Sequence, residues 1–297
     1  VMDYFKGTEM QKYLSELHKG NITLSYKPQQ IEFIPKHFQG KVTDLLSKVD
    51  KKGKLDEVAK ALDLTNFLDS KVNEISGGEL QRVAIAATIL KDTNLMLFDE
   101  PSSYLDIKQR IKVGNYIRSL SKENNSIMVI EHDLILLDFM TDLLNIMYGH
   151  DAVYGIVSGV KTSREGINSF LEGYLKEENV RFRSNPLKFE PGQDKVQAFP
   201  IELLSWENIK VKLGKFTLES TKGVLNKNEI IGVLGENGTG KSSFVKVLAK
   251  EIETKGTIKG DVKVSFKPQY LDFAERKDLV IEFLQDAAAN YDVQLIR

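Results

Sequence analysis

The chain has 297 residues, 41 basic and 42 acidic side chains, a net charge of -1 and 41% hydrophobic residues. That balance describes a globular protein long enough for about two domains. It excludes a peptide hormone or a disulfide knot, and it gives no general case for nucleic-acid binding, although local basic patches could still grip phosphates. With no cysteine present, disulfides, thiolate-bound zinc, iron–sulfur clusters and thiol catalysis are beyond these residues. Four scattered histidines make no metal-site pattern.

The opening segment is helix-like, but Asp3, Lys6 and Glu9 interrupt it, so it does not read as a signal peptide. Residues 42–68 show apolar spacing suited to a core-facing helical subdomain. A helix is predicted over 80–90, a buried strand over 95–98, a helix over 107–120 and a second strand over 127–130. Residues 164–174 look partly ordered, and Pro186, Pro191 and Pro200 cluster with Gly192. Together these place a hinge at about 161–199. A third buried strand over 230–234 and a helix over 242–252 follow. Strands alternating with helices predict an α/β fold with a mostly parallel sheet. The apolar runs at 134–137 and 230–234 fall far short of the roughly 18 residues of a membrane span, and the chain reads as intracellular.

A weak repeat suggests two related domains: Ser25-Tyr26-Lys27-Pro28-Gln29 matches Ser265-Phe266-Lys267-Pro268-Gln269 at all but one position. Residues 1–160 are expected to form the back part of the first domain, and 200–297 the front part of the second.

Gly235-Glu236-Asn237-Gly238-Thr239-Gly240-Lys241-Ser242 fits G-x-x-x-x-G-K-[ST], between a predicted strand and a predicted helix. Main-chain N–H groups from Gly235, Asn237, Gly238 and Gly240 onward are expected to cradle phosphates, with Ser243 joining them at the helix N-terminus. Lys241 supplies a charge at the β and γ phosphates, and the Ser242 hydroxyl is a ligand for Mg²⁺. Earlier, the 95–98 strand ends in Asp99 and Glu100. In a nucleotide hydrolase Asp99 would hold Mg²⁺ and Glu100 would polarise the attacking water.

Further pieces follow in order: Ser76-Gly77-Gly78-Glu79-Leu80-Gln81, then Asp106 shortly after the acids, then His132 after the next strand. With the phosphate loop they resemble the ABC-type ATPases. The resemblance implies that Ser76, Gly77 and Gly78 bind the γ-phosphate of an ATP held by an opposite domain. It also implies that Asp106 is the D-loop acid, that His132 is the switch histidine, and that Gln29 and Gln269 are Q-loop glutamines near the metal. Phe216 is either the adenine-stacking aromatic or a core phenylalanine.

Within that superfamily the residues are most similar to the RNase L inhibitor family, the twin ribosome-recycling ATPases of subfamily E. The similarity rests on residues 98–106 (FDEPSSYLD), Glu131-His132-Asp133, the hinge-like stretches 166–174 and 178–183, and 5–13. It implies two partial ABC-type domains joined by a hinge, ATP and Mg²⁺ as ligands, and a cytoplasmic protein with no membrane partner. The implied partners are the small ribosomal subunit and release or recycling factors, with ribosomal RNA as a further contact. Arg164, Arg181 and Arg183 of the hinge are either RNA contacts, lobe clamps or ordinary solvated charges.

Three departures mark the chain as an internal fragment of such a protein. No cysteines are present to hold the family's iron–sulfur clusters, which are expected only in a domain outside this chain. No phosphate loop precedes Gln29, and the Gln29-to-Ser76 interval counted from Gln269 runs past Arg297. The fragment alone is therefore expected to hydrolyse little ATP. Rival readings are the energising subunit of a membrane transporter and a nucleotide-regulated binding module without turnover.

Overall fold

Parallel strands are ordinarily joined by helices that pack on the sheet, and the first half of this chain supplies both strands and helices. The computed structural model describes residues 4–121, 125–188, 201–214, 216–260, 264, 265, 267 and 279–282. The elements run α1 (Glu9–His18), β1 (Leu24–Lys27), α2 (Ile34–His37), α3 (Val42–Val49), α4 (Leu55–Ala61) and α5 (Gly77–Ile89). They continue with β2 (Leu95–Asp99), α6 (Ile107–Leu120), β3 (Ser126–Ile130) and α7 (Leu134–Met140). Short strands β4 (Leu143–Leu144), β5 (Met147–His150), β6 (Tyr154–Val157) and β7 (Lys161–Thr162) lead to α8 (Ser163–Glu172), β8 (Tyr174–Leu175) and β9 (Val180–Arg181). Last come β10 (Glu202–Leu213), β11 (Phe216–Asn226), α9 (Lys241–Leu248) and β12 (Thr257–Lys259).

The chain divides into two units. The first is Val1–Lys195 with Leu234–Thr239, and the second is Val196–Val233 with Gly240–Arg297.

In the first unit β1, β2 and β3 form a parallel sheet in that order. The register sets Lys27 beside Phe98 and Asp99 beside Ile130. All three strands therefore end at one edge, where Gln29, Glu100 and His132 follow. Met96 and Phe98 of β2 pack into one core with Val83, Ile85 and Ala86 of α5 and with Val42, Leu46 and Val58 of the helices before it. Each large side chain so buried contributes about 1.5–3 kcal/mol. Ser76 caps α5 by accepting from the Glu79 amide while Glu79 Oε2 accepts from the Ser76 amide at 2.8 Å, a reciprocal capping box. Asp106 caps α6 by accepting from the Gln109 amide at 2.9 Å.

Later in this unit Thr162 caps α8 and Gly173, at φ 72°, ends it. There the Lys161 ammonium, 2% exposed, meets Glu177 at 2.8 Å and Glu178 at 3.3 Å. Arg183 packs over Phe170 and Phe182 and donates to the Phe170 carbonyl, while Arg181 lies over Tyr174.

In the second unit the antiparallel pair β10 and β11 is extended by β12 on the β10 side. Ile209, Val211 and Val247 form its core, with Trp206, Phe244 and Leu248 against them.

Two predicted elements differ. Residues 230–234 are not a strand, and Ile230 is fully exposed and Leu234 87% exposed. A strand is held by its neighbours' hydrogen bonds, and among the described residues none lies beside this segment. The helix expected over 242–252 ends at Leu248, because Lys250 turns into the left-handed region at φ 60°. Among the described residues no helix is long and apolar enough to cross a membrane.

Candidate functional site

The edge where β1, β2 and β3 end is where parallel α/β sheets bind ligands, and this edge gathers Gln29, Asp99, Glu100 and His132. Glu100 follows β2 in the left-handed region, at φ 46°, which is uncommon for a residue with a Cβ. Its Oε1 accepts from Gln29 Nε2 at 2.6 Å and lies 3.2 Å from His132 Nε2. Its Oε2 accepts from the Ser103 hydroxyl at 3.1 Å. The carboxylate thus has three polar neighbours from three loops, and a cleft of about 710 Å³ lined by Gln29, Glu100, Ser103, Tyr104 and Arg110 opens over it. The His132 side chain is 81% exposed, so it is reachable from solvent.

Asp99 ends β2, and its Oδ2 accepts from the Tyr26 hydroxyl at 2.9 Å. This bond pushes the Tyr26 phenol above its ordinary pKa. Behind the acids lies Lys27, fully buried, whose ammonium donates to the main-chain oxygens of Asp99 at 2.8 Å and Glu100 at 3.2 Å. Burial pushes it down to about 8, against the pull of Asp99 and Glu100. The buried Gln81 of α5 also donates to the Glu100 carbonyl, at 2.8 Å.

Ser76, Gly77 and Gly78 stand at the start of α5, as the sequence predicts. A Cβ on Gly78 would lie 3.0 Å from the Tyr104 carbonyl, so only glycine fits there without displacement. Leu234–Thr239 belongs to the same unit. Asp106 Oδ2 accepts from the Asn237 amide at 3.0 Å, the Tyr104 carbonyl accepts from Asn237 Nδ2 at 3.1 Å, and Lys108 pairs with Glu236 at 3.0 Å.

In the second unit Gly240, at φ 89°, is the N-cap of α9, which opens with Lys241, Ser242 and Ser243. A Cβ on Gly240 would sit 2.7 Å from the Phe216 ring. Phe216 therefore lies beside the phosphate loop and is not among the residues of the second core cluster. Gln269 lies outside the described residues.

The donor set fits magnesium. The ion takes oxygen ligands and usually keeps one or two protein groups beside phosphates and waters. In the first unit the Asp99 carboxylate is of that kind, and Gln29, with its amide nitrogen engaged at Glu100, offers its amide oxygen; in the second unit, separately, Ser242 Oγ stands at the helix start. Among the described residues no cluster of three His, Asp or Glu forms a separate metal cage. With no cysteine, this chain has no thiolate ligands for iron–sulfur clusters, and no step runs through them.

Sequence reading missed Lys27, Gln81 and Ser103. A signal for Lys27 did exist, since the repeat carries a lysine before Pro-Gln in both copies.

A glycine-rich G-x-x-x-x-G-K-S loop opening a helix and, in the first unit, a strand-end acid pair beside a glutamine and a histidine are the features of the ABC class of P-loop proteins. The family model described as ABC transporter matches residues 3–103 and 218–286, more than half of the chain, and the chain belongs to this family. An uncharacterized ABC transporter ATP-binding protein of Methanocaldococcus jannaschii is 49% identical over 277 residues, covering 91% of this chain and 45% of that protein. Among solved structures, the model of ribosome-bound archaeal Pelota and ABCE1 aligns with a TM-score of 0.91 at 44% identity, over 100% of this chain and 49% of that one. The archaeal ribosome recycling factor aABCE1, in complex with the ribosomal stalk protein aP1, aligns at 0.80 and 44% over 99% and 57%. These matches bear out the resemblance to subfamily E. The chain spans about half the length of the curated relatives it matches.

Proposed function

We propose that this chain is part of a twin ATPase that hydrolyses ATP to ADP and phosphate and uses that cycle to split ribosomal subunits in the cytoplasm. One observation carries the hydrolytic reading: the Glu100 carboxylate is held by Gln29, His132 and Ser103 at the mouth of a cleft. A carboxylate so placed accepts a proton from water as the water oxygen attacks the γ-phosphorus. The bond from that phosphorus to the bridging oxygen breaks, and ADP carries the electron pair away. At the second ATP site of the twin protein, Lys241 and the α9 N-terminus hold phosphate oxygens. Asp99 and Gln29 would hold a magnesium ion at the Glu100 site and Ser242 a separate one at the other ATP site, and each ion would neutralise phosphate charge there. Asp106 orders the loop around Asn237, and Gly77 and Gly78 leave room for phosphate at the start of α5.

The ribosomal direction is supported by likeness along the whole chain to a ribosome-bound ABCE1 and to a recycling factor. Small-subunit contacts and release or recycling factors as partners follow from the same likeness. The test is a light-scattering assay of ribosome splitting by the complete gene product. Wild type is expected to dissociate ribosomes with ATP and a Lys241→Ala variant to fail. Splitting at the wild-type rate by Lys241→Ala, or none by wild type with its partner factors present, would overturn the reading.

A further inference from the structure

Glu100 sits in a backbone conformation that its own side chain disfavours, and such a conformation persists only where the surroundings over-determine it. Two buried side chains supply that constraint. Lys27, from β1, reaches under the sheet edge to the carbonyls of both acids, and Gln81, from the second turn of α5, donates to the Glu100 carbonyl. Both residues are fully buried. Neither placement is explained by stability: a buried ammonium is costly to desolvate, and the Gln81 amide oxygen is buried with no hydrogen-bond partner. An apolar side chain of similar length would avoid that penalty but would leave the Glu100 carbonyl without this donor, so what the polar groups supply is the hold on that carbonyl.

We infer that Lys27 and Gln81 are positioning residues for Glu100, holding its carbonyl so that the left-handed turn aims its carboxylate at Gln29, His132 and the cleft. Gln81 also belongs to the helix capped by Ser76, so the acid's own peptide is hydrogen-bonded to the element that carries Gly77 and Gly78. A shift of α5 along its axis is then felt at Glu100 through a single bond. This inference rests on the reading of Glu100 as the hydrolytic base.

The test compares Gln81→Met and Lys27→Met with Glu100→Gln in the complete gene product, measuring kcat, KM for ATP and Tm. Each methionine variant is expected to lose about tenfold or more in kcat, with KM within about twofold of wild type. Each substitution removes a penalised buried polar group but also a donor to the Glu100 carbonyl, two effects of opposite sign on Tm, so kcat is compared per folded molecule. On the Glu100→Gln background the same substitutions are expected to cause no further loss, since they act through that side chain. A lower Tm with kcat per folded molecule unchanged would assign them a purely structural role and overturn the inference. If Lys27→Met does not fold, Gln81→Met decides alone. Wild-type turnover by Glu100→Gln would remove the hydrolytic reading itself and this inference with it. Loss of turnover by Glu100→Gln alone, with both methionine variants within about twofold of wild-type kcat, would overturn the inference and leave that reading standing.

Discussion

Gln29 and Glu100, 71 residues apart in sequence, are joined by a 2.6 Å hydrogen bond from the Gln29 amide to the Glu100 carboxylate. The bond exists because β1 and β2 are parallel neighbours in register, so the residues after each strand emerge side by side. It ties the proposed metal-side glutamine directly to the proposed base.

At Gly240 the backbone has φ 89°, and a Cβ would meet the Phe216 ring at 2.7 Å. Gly240→Ala therefore combines left-handed strain of about 1–2 kcal/mol with a collision. ATP affinity measured by fluorescent-analogue titration is expected to fall about tenfold or more, while the β10–β11 pair keeps its circular dichroism.

Ser76 and Glu79 satisfy each other's amides at the start of α5. Ser76→Ala is expected to lower stability by about 1 kcal/mol, read as a shift of the urea midpoint at unchanged m-value. Ser76→Asp, which keeps an acceptor at the cap, is expected to recover most of that loss while placing a negative charge where phosphate is proposed to bind. Capping and nucleotide binding are then expected to separate in the two variants.

The sequence made much of this site legible. The α6 bounds matched residue for residue, because Asp106 is a strong cap and the apolar spacing runs unbroken to Leu120. The acid pair, the histidine and the capped Ser-Gly-Gly turn were all visible as local patterns. The roles of Lys27 and Gln81 were not, because a lysine in a strand and a glutamine in a helix ordinarily face solvent, and the repeat marks Lys27 without saying what it touches. Only the tertiary fold puts both under Glu100. The 230–234 run shows the opposite failure: five residues that look like a buried strand are left exposed, with no pairing strand among the described residues. The β10–β11 pair was missed because its apolar positions are diluted by Glu207, Asn208, Lys210 and Lys212.

Near α8, Glu178 accepts from the Gly159 amide at 2.8 Å and pairs with Lys161. The Gly159 hydrogen bond is the main cause that holds its carboxyl below the ordinary carboxylate value. A carboxyl lowered on folding stabilises above its unfolded pKa and loses that contribution as pH falls through the folded value. The urea midpoint is therefore expected to decline as pH drops below about 4.5, and Glu178→Gln is expected to flatten that decline. An equal decline in the variant would assign the acid sensitivity elsewhere.

The 297-residue chain expressed alone is expected to bind ATP at Lys241 and Ser242 but to turn it over slowly. In its sequence no phosphate loop precedes Gln29 to serve the edge that carries Glu100. A malachite-green phosphate assay checks this. Robust turnover by the chain alone, abolished by Glu100→Gln, would contradict it.

The central claim is that Glu100 takes the proton from the attacking water. Single-turnover hydrolysis of radiolabelled ATP by the complete gene product carrying Glu100→Gln tests it most directly. The account predicts that ATP binds with near wild-type affinity while the cleavage rate falls by about 10² or more. Cleavage at the wild-type rate with ATP equally bound would contradict it.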